Sequence, residues 1–212
     1  AEVFRWFSHP TLMVGYNWRF HPLVCELQRK YLAAGSPVLR EAALWVLCDR
    51  STWPGSDYAD SLTECSHEID LALLWLGCNQ KVQVHLEART PTASAWVLRL
   101  ANASGERALV VIDDGASRFL RGCRLKCQGY GGGYDVGDPG TQEVERAALA
   151  FSYQQELAHF LTAASEGRST AIPFSDGLAV LSVIDVAREA ALRDISCRVY
   201  FRANRLAERD AP

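Results

Sequence analysis

The chain has 212 residues, of which 49% are hydrophobic and 22% charged, the composition of a folded globular protein with one large domain or two small ones. The formal net charge of -3, without a long run of either sign, excludes nucleic acid and anionic membrane surfaces as partners and favours a small neutral or polar ligand. No apolar run is long enough to cross a bilayer and residues 1–10 lack the features of a secretion signal, so we expect a cytoplasmic protein. Seven cysteines without a Cys-x-x-Cys pair argue against a disulfide framework and a zinc knuckle, and we expect no bound metal.

The first elements are predicted to be a strand, a helix and a second strand. Residues 11–16 form a short apolar run typical of a buried strand, which ends at Asn17. After Pro22, which suits the first turn of a helix, apolar residues recur at helical spacing until Gly35. Residues 42–47 are again apolar and predict the second strand.

A turn-rich segment and another helix follow. Residues 51–58 read Ser-Thr-Trp-Pro-Gly-Ser-Asp-Tyr, which predicts a loop whose two aromatic side chains either line a pocket or sit on an exposed turn. Residues 64–76 carry one apolar stripe at helical spacing. We expect Ser66 to cap the start of this helix and Gly77 to end it.

Apolar and polar residues alternate between residues 81 and 128, which predicts several strands of one sheet. The segment Asn-Ala-Ser-Gly at 102–105 predicts a hairpin, and Asp-Asp-Gly at 113–115 predicts a second tight turn. The sheet should therefore be largely antiparallel. Residues 129–140 contain six glycines and few apolar residues, so we expect a mobile loop there.

Two helices near the end of the chain are predicted to cover one face of this sheet. The first spans residues 152–164, where Leu157, Phe160 and Leu161 repeat helically, and the second spans residues 176–192. Helices on one side of an antiparallel sheet make an α+β fold, here with a large, mostly antiparallel open sheet.

No standard nucleotide-binding motif is present in the sequence. A dinucleotide site needs Gly-x-Gly-x-x-Gly between a strand and a helix, because only glycine lets the backbone approach the pyrophosphate. Gly-Gly-Gly at 131–133 has neither this spacing nor this setting. We therefore expect no cofactor to be bound by this chain alone.

The segment Glu-Cys-Ser-His-Glu-Ile-Asp at 64–70 is the strongest candidate for chemistry. If the helix begins near Glu64, then Glu64, His67 and Asp70 lie along one face, and a neighbouring carboxylate would orient the imidazole and raise its basicity. Such a histidine suits proton transfer to or from a hydroxyl. A capping or core role for His67 is the structural alternative, and a metal-ligand role is a further one.

Several motifs together resemble the glucose-fructose oxidoreductase and inositol dehydrogenase (Gfo/Idh/MocA) family. They are Val-Gly-Tyr-Asn-Trp-Arg-Phe-His-Pro at 14–22, the Trp-Pro-Gly-x-Asp-Tyr loop at 53–58, and Ser-His-Glu-Ile-Asp-Leu at 66–71 followed by Trp-Leu-Gly. Residues 156–192 are similar to the closing helix pair of that family. The resemblance covers nearly the whole chain.

This resemblance implies an NAD(P)-dependent oxidoreductase in which a separate Rossmann domain binds NAD or NADP. Residues 1–16 would then be the last helix and strand of that domain. Residues 17–212 would form a substrate-binding and dimerisation domain, with a sugar or cyclitol pocket and a homodimer formed through the open sheet.

The resemblance also implies roles for individual residues. His67 matches the catalytic histidine, and Glu64 is expected to orient it, although the family's usual aspartate position is occupied by Thr63. The expected substrate contacts are Asn17, Arg19, Trp53, Tyr58 and Asp70. Arg19 has a second interpretation as a salt-bridge partner between strands.

Three functional hypotheses remain open at this stage. The first is the substrate and catalytic domain of a dehydrogenase that acts on a sugar, nucleotide sugar or cyclitol. The second is a cofactor-independent cyclase, isomerase or lyase that uses the same pocket for acid/base chemistry. The third is a non-catalytic partner that dimerises through its sheet.

Overall fold

A computed structural model describes residues 12–49, 61–77, 83–92, 95–136, 142–193 and 196–200. A 3-10 helix spans Asn17–Phe20. The α-helices are α1 (Pro22–Ala33), α2 (Ser61–Glu64), α3 (Ser66–Trp75), α4 (Gln142–Ser165) and α5 (Phe174–Arg193). The strands are β1 (Leu39–Asp49), β2 (Gln83–Thr92), β3 (Ala95–Asn102), β4 (Arg107–Asp113), β5 (Gly115–Cys127), β6 (Tyr130–Val136) and β7 (Ser196–Tyr200).

The strands form one seven-stranded sheet in the order β6-β5-β1-β4-β3-β2-β7. All neighbouring strands are antiparallel except β1 and β4, which are parallel. The predicted α+β fold with a large, mostly antiparallel open sheet is therefore confirmed. None of the described helices is long and apolar enough to cross a membrane.

One face of the sheet carries the hydrophobic core. Alternate residues of the central strands are buried, including Leu44 on β1, Val110 on β4 and Cys123 on β5, as the period of a strand requires. Helices α1, α3 and α5 pack on this face, with α3 over β1 and β4 at its centre. Helix α3 is the element that brings His67 to the sheet.

Residues 152–164 do form a helix, but the prediction that their apolar residues cover the sheet is wrong. Helix α4 packs mainly on the 3-10 helix, and Leu157 and Leu161 are each 57% exposed. The inward residues of α4 include the small side chains of Ser152 and Ala163. Helical spacing shows that an apolar stripe exists, but it does not show whether the stripe faces this chain's own core.

The predicted loop at residues 129–140 is also wrong, because Tyr130–Val136 is strand β6, paired with β5. Two of its three glycines, Gly132 and Gly133, are closely packed. A Cβ on Gly133 would lie 2.3 Å from the carbonyl oxygen of Cys123, and one on Gly132 would lie 2.5 Å from the Tyr130 hydroxyl. The glycine content suggested a mobile loop, but glycines occur here because a side chain would clash with neighbouring atoms of the sheet. Residues 137–140 lie outside the described part of the chain.

The two predicted turns have different outcomes. The hairpin at 102–105 is confirmed, since β3 and β4 pair antiparallel, Gly105 has φ +83°, and the Asn102 side-chain oxygen accepts from the amides of Ser104 and Glu106. The turn at 113–115 leads from β4 to β5, but β1 lies between these two strands. It is therefore not a hairpin turn.

Candidate functional site

The helix that carries the site begins later than predicted. Helix α2 ends at Glu64, Cys65 precedes α3 without a side-chain cap, and the amide of Glu68 donates to the Cys65 carbonyl in a tightened turn. The prediction of one helix from residue 64, capped by Ser66, is wrong. The predicted end at Gly77, with φ +65°, is confirmed. Glu64 and His67 therefore do not share one regular helix.

His67 is the second residue of α3 and is half-buried. Its ring meets the ring of Tyr16 edge-on, with centroids 5.6 Å apart at 78°. Its Nδ1 atom is buried and has no hydrogen-bond partner among the described residues. Burial, and then the positive charge of Arg121, lower the pKa of His67 to about 3. The imidazole is therefore neutral at physiological pH.

Asp70, three residues after His67 on α3, is bound by Arg19. The Nε of Arg19 donates to Oδ2 at 2.8 Å and Nη2 donates to Oδ1 at 2.6 Å. A second carboxylate, Asp176 of α5, lies 2.8 Å from Nη1 of the same guanidinium. The Asp70 carboxylate is thus used to join α3 to the 3-10 helix. A substrate contact by Arg19 or Asp70 stays a prediction.

Asn17 is buried at the start of the 3-10 helix. Its Nδ2 donates to the Ser152 hydroxyl of α4 at 2.8 Å, and Ser152 donates to the Leu149 carbonyl at 2.7 Å. This chain of bonds fixes the 3-10 helix to α4. The role of Asn17 in substrate binding stays a prediction.

Two residues that the sequence interpretation missed, Glu68 and Arg121, form a buried ion pair beside His67. The Nε of Arg121 lies 2.6 Å from Oε1 of Glu68, and Nη2 donates to Oε2 at 3.2 Å. The guanidinium lies 4.2 Å from the Trp18 ring centroid. The sequence does contain a clue to Arg121. It lies two residues before Cys123 on β5, and residues two apart on a strand face the same side, so Arg121 faces the core together with buried Cys123.

His21 completes this cluster from the other side of Trp18. Its ring stacks on the indole with centroids 4.4 Å apart at 13°. Its Nδ1 accepts the amide of Leu23 at 3.3 Å and caps α1, whereas its Nε2 is buried without a partner in the described part of the chain. Burial, and then the charge of Arg121, lower the pKa of His21 to about 4.

Three predicted site groups fall outside the described part of the chain. Trp53 and Tyr58 lie outside the described residues, and so does the side chain of Glu64. Within the described ranges, no group of three or more histidine, cysteine or acidic side chains could hold a metal ion.

The fold matches several solved dehydrogenases. A myo-inositol dehydrogenase from Corynebacterium glutamicum has a TM-score of 0.73 and 17% identity, covering 92% of this chain and 66% of its own. A UDP-N-acetylglucosamine 3-dehydrogenase from Acidithiobacillus ferrooxidans has a TM-score of 0.65 and 21% identity, covering 85% and 62%. A levoglucosan dehydrogenase in complex with NADH and levoglucosan has a TM-score of 0.61 and 18% identity, covering 88% and 66%.

These matches extend over most of this chain but over only 62% to 66% of the dehydrogenases. No protein-family model and no curated protein matches the sequence. The likeness is therefore one of fold, and it confirms at that level the resemblance to the Gfo/Idh/MocA dehydrogenases.

Proposed function

We propose, from a fold shared with the Gfo/Idh/MocA dehydrogenases, that this chain is the substrate-binding and catalytic part of an NAD(P)-dependent oxidoreductase. Its substrate would be a hydroxyl, or the corresponding carbonyl, of a sugar, nucleotide sugar or cyclitol. The solved proteins of this fold act on myo-inositol, a nucleotide sugar and levoglucosan, which are all polyhydroxylated rings.

The observation that carries the proposal is the placement of His67. Its neutral imidazole stands in the first turn of α3, on a residue that is half-buried as a whole and has a buried Nδ1. An imidazole held by surrounding packing can hydrogen-bond a substrate oxygen and exchange a proton with it. Glu64 is proposed to orient the ring, and a bound nicotinamide would take up or supply the hydride.

The surroundings of His67 would position the substrate. Arg19 and Asn17 hold the 3-10 helix between α3 and α4 through their bonds to Asp70 and Ser152. We expect this rigid segment to form one wall of the pocket. Trp53 and Tyr58 are proposed to supply the opposite wall, because aromatic faces suit the apolar faces of sugar rings.

The cofactor would be held by a separate nucleotide-binding domain, of which residues 1–16 would be the last part. A surface suited to such a domain lies on α4, where Tyr153, Leu157 and Leu161 are 56%, 57% and 57% exposed. These positions are four residues apart and form one stripe. An apolar stripe of this size favours a protein contact, and we propose that it packs against the cofactor-binding domain.

The open face of the sheet is proposed as a homodimer surface. Trp45 and Leu47 on β1, and Leu109 and Val111 on β4, are only half-buried on the sheet face that no described helix covers. A flat apolar face of neighbouring strands can pack on a second copy of itself.

The proposal is tested by calorimetry with myo-inositol, levoglucosan and UDP-N-acetylglucosamine. We expect one of these to bind the chain, His67→Ala to weaken that binding about tenfold, which corresponds to ~1.4 kcal/mol, and the matched control His159→Gln to leave it unchanged. Failure of all three compounds to bind would refute the substrate class.

The proposal that a separate domain binds the cofactor is tested with the nicotinamide cofactors. We expect no tight binding of NADH or NADPH by the 212-residue chain, and tight binding would refute a separate cofactor domain. Turnover of a polyhydroxylated ring without nicotinamide, abolished by His67→Ala, would overturn the redox assignment in favour of a cofactor-independent isomerase, cyclase or lyase.

A further inference from the structure

The imidazole of His67 has to be held in place largely by packing. A hydrogen bond from the second ring nitrogen usually orients a histidine that transfers protons, but Nδ1 of His67 is buried without a partner in the described part of the chain. The carboxylates of Glu68 and Asp70, on the same helix, each bind an arginine instead. Packing must therefore orient the ring, alongside any contact from Glu64.

Tyr16 makes a ring contact with His67 from outside α3. The two rings meet edge-on, with centroids 5.6 Å apart at an interplanar angle of 78°, and Tyr16 is only 8% exposed. An edge-on pair of rings has a preferred geometry, with centroids about 4.5–7 Å apart. Such a contact restricts the angle of the imidazole as well as its position.

The segment that carries Tyr16 is attached to the chain just before α5. The amide of Val14 donates to the carbonyl of Ile172 at 3.0 Å, and the hydroxyl of Thr170 donates to the carbonyl of Leu12 at 3.0 Å. Thr170 and Ile172 are both buried. These bonds fix residues 12–14 alongside residues 170–172, two residues before the tyrosine.

Close packing holds the same segment against α5. A Cβ on Gly177 would lie 2.9 Å from Cγ2 of Val14, so the absence of a side chain there lets Val14 lie directly on the helix. On the other side of Tyr16, its carbonyl accepts the amide of Arg19 at 3.0 Å, where the 3-10 helix starts. The backbone of Tyr16 is thus fixed from both sides, which makes its ring a rigid support.

We propose that Tyr16 is a positioning residue that fixes the angle of the His67 imidazole through the edge-on contact of the two rings. The inference rests on the proposed function for its meaning, because a fixed imidazole is useful when it has to meet a ligand oxygen in one geometry. The aromatic ring of Tyr16 makes this contact, so its hydroxyl is not required. A ring that is ordered before the ligand arrives also saves the entropy of ordering it on binding.

Carbon NMR relaxation of the histidine rings tests this in the whole chain without any substrate. In the wild type, the His67 ring should be as ordered as a rigid backbone, with an order parameter of about 0.85. Tyr16→Leu should lower this value towards about 0.6, whereas Tyr16→Phe should keep it because phenylalanine retains the ring. A His67 ring that is mobile in the wild type, or that stays ordered in folded Tyr16→Leu, would overturn the proposal.

Phe20 provides the matched control. It lies on the 3-10 helix that follows Tyr16 and contacts the ring of a different histidine, His159, with centroids 5.5 Å apart at 42°. Phe20→Leu should therefore leave the order of the His67 ring unchanged. A loss of order at His67 as large as in Tyr16→Leu would mean that the whole segment loosens, and it would refute a specific role for Tyr16.

Tyr16→Leu leaves a space in the core and threatens folding, so Tyr16→Met provides a second variant without a ring. The long, flexible side chain of methionine fills irregular gaps, and we expect the same loss of order at His67. Retained order in folded Tyr16→Met would also refute the proposal. Because no substrate is present, these outcomes are independent of whether polyhydroxylated rings bind.

Discussion

The Asp70 carboxylate accepts hydrogen bonds from both Nε and Nη2 of Arg19, at 2.8 and 2.6 Å, across 51 residues of sequence. Asp70 follows His67 by less than one turn of α3, yet its oxygens are turned to the 3-10 helix. The arginine also contacts Asp176 at 2.8 Å, so one guanidinium joins α3, α5 and the 3-10 helix. The geometry of the candidate site depends on this junction.

Replacing Arg19 by methionine should destabilise the protein by about 3–5 kcal/mol, because Asp70 and Asp176 would remain as unpaired buried carboxylates. Arg19→Lys should destabilise the protein less, since lysine keeps the positive charge but not the paired hydrogen-bond geometry of the guanidinium. Urea unfolding measures both. The control is Arg29→Met, whose partner Glu26 is exposed and whose loss should destabilise the protein far less, because an exposed ion pair is screened by water. Equal losses for Arg19→Met and Arg29→Met would contradict this prediction.

Stability should fall on acidification because two histidines stay neutral in the folded state. The pKa is lowered to about 3 for His67 and about 4 for His21, whereas the unfolded chain has the ordinary value of 6.5. Above 6.5 both states are neutral and stability is complete. As pH falls below 6.5, only the unfolded state takes up these protons, so stability decreases until the folded pKa is reached.

The size of this effect is measured with a histidine variant. Between about pH 6 and pH 5, each neutral histidine should contribute a loss of about 1 kcal/mol per pH unit. Urea unfolding of His67→Gln over the same range should show a slope smaller by that amount. An unchanged slope would mean that His67 titrates normally in the folded protein.

Much of the fold was predictable because it depends on local patterns. Apolar and polar residues alternate on β3, β4 and β5 because a strand with one covered face repeats every two residues. Gly77 and Gly105 occur where the backbone requires a positive φ. Helix α4 shows the limit of this reasoning. Its apolar stripe at Leu157 and Leu161 is regular, but local spacing carries no information about which partner covers it.

The site was predictable only in part, because its contacts are long-range. Motif resemblance identified His67, but the pairs Arg19–Asp70 and Arg121–Glu68 join residues 51 and 53 positions apart. Helical spacing placed Asp70 near His67, and only the position of the 3-10 helix directs its carboxylate to Arg19. The pairing of buried charges depends on how elements meet in space, which single-residue patterns do not encode.

The proposed sheet-mediated homodimer predicts a clear effect of charge on its open face. Val111→Arg places a positive charge among apolar residues of β4 and should convert dimer to monomer, because a buried unpaired charge costs several kcal/mol. Light scattering at several protein concentrations measures the change. The control is Leu32→Arg, at a position on α1 that is 64% exposed, and it should leave the assembly unchanged. A wild-type monomer, or a Val111→Arg dimer, would refute this surface.

Close packing on the open face predicts that any side chain at position 122, where the protein has Gly122, destabilises the fold. A Cβ there would lie 2.3 Å from Cζ2 of Trp45 and 2.7 Å from the Tyr134 carbonyl oxygen. The indole could move, but the backbone oxygen belongs to the paired strand β6, so relief requires the strands to separate. Gly122→Ala should therefore cost about 1–3 kcal/mol, the usual range for overpacking.

Gly131 provides the matched control for this substitution. It lies on the same face, on β6, and a Cβ there would be 3.8 Å from its nearest neighbour, the Leu125 carbonyl oxygen, which is an ordinary contact. Gly131→Ala should be neutral or slightly stabilising, because alanine restricts the unfolded chain. Urea unfolding distinguishes the two variants. If both glycines tolerate alanine equally, the indole of Trp45 does not lie across β5, and the apolar face proposed for dimerisation would have a different shape.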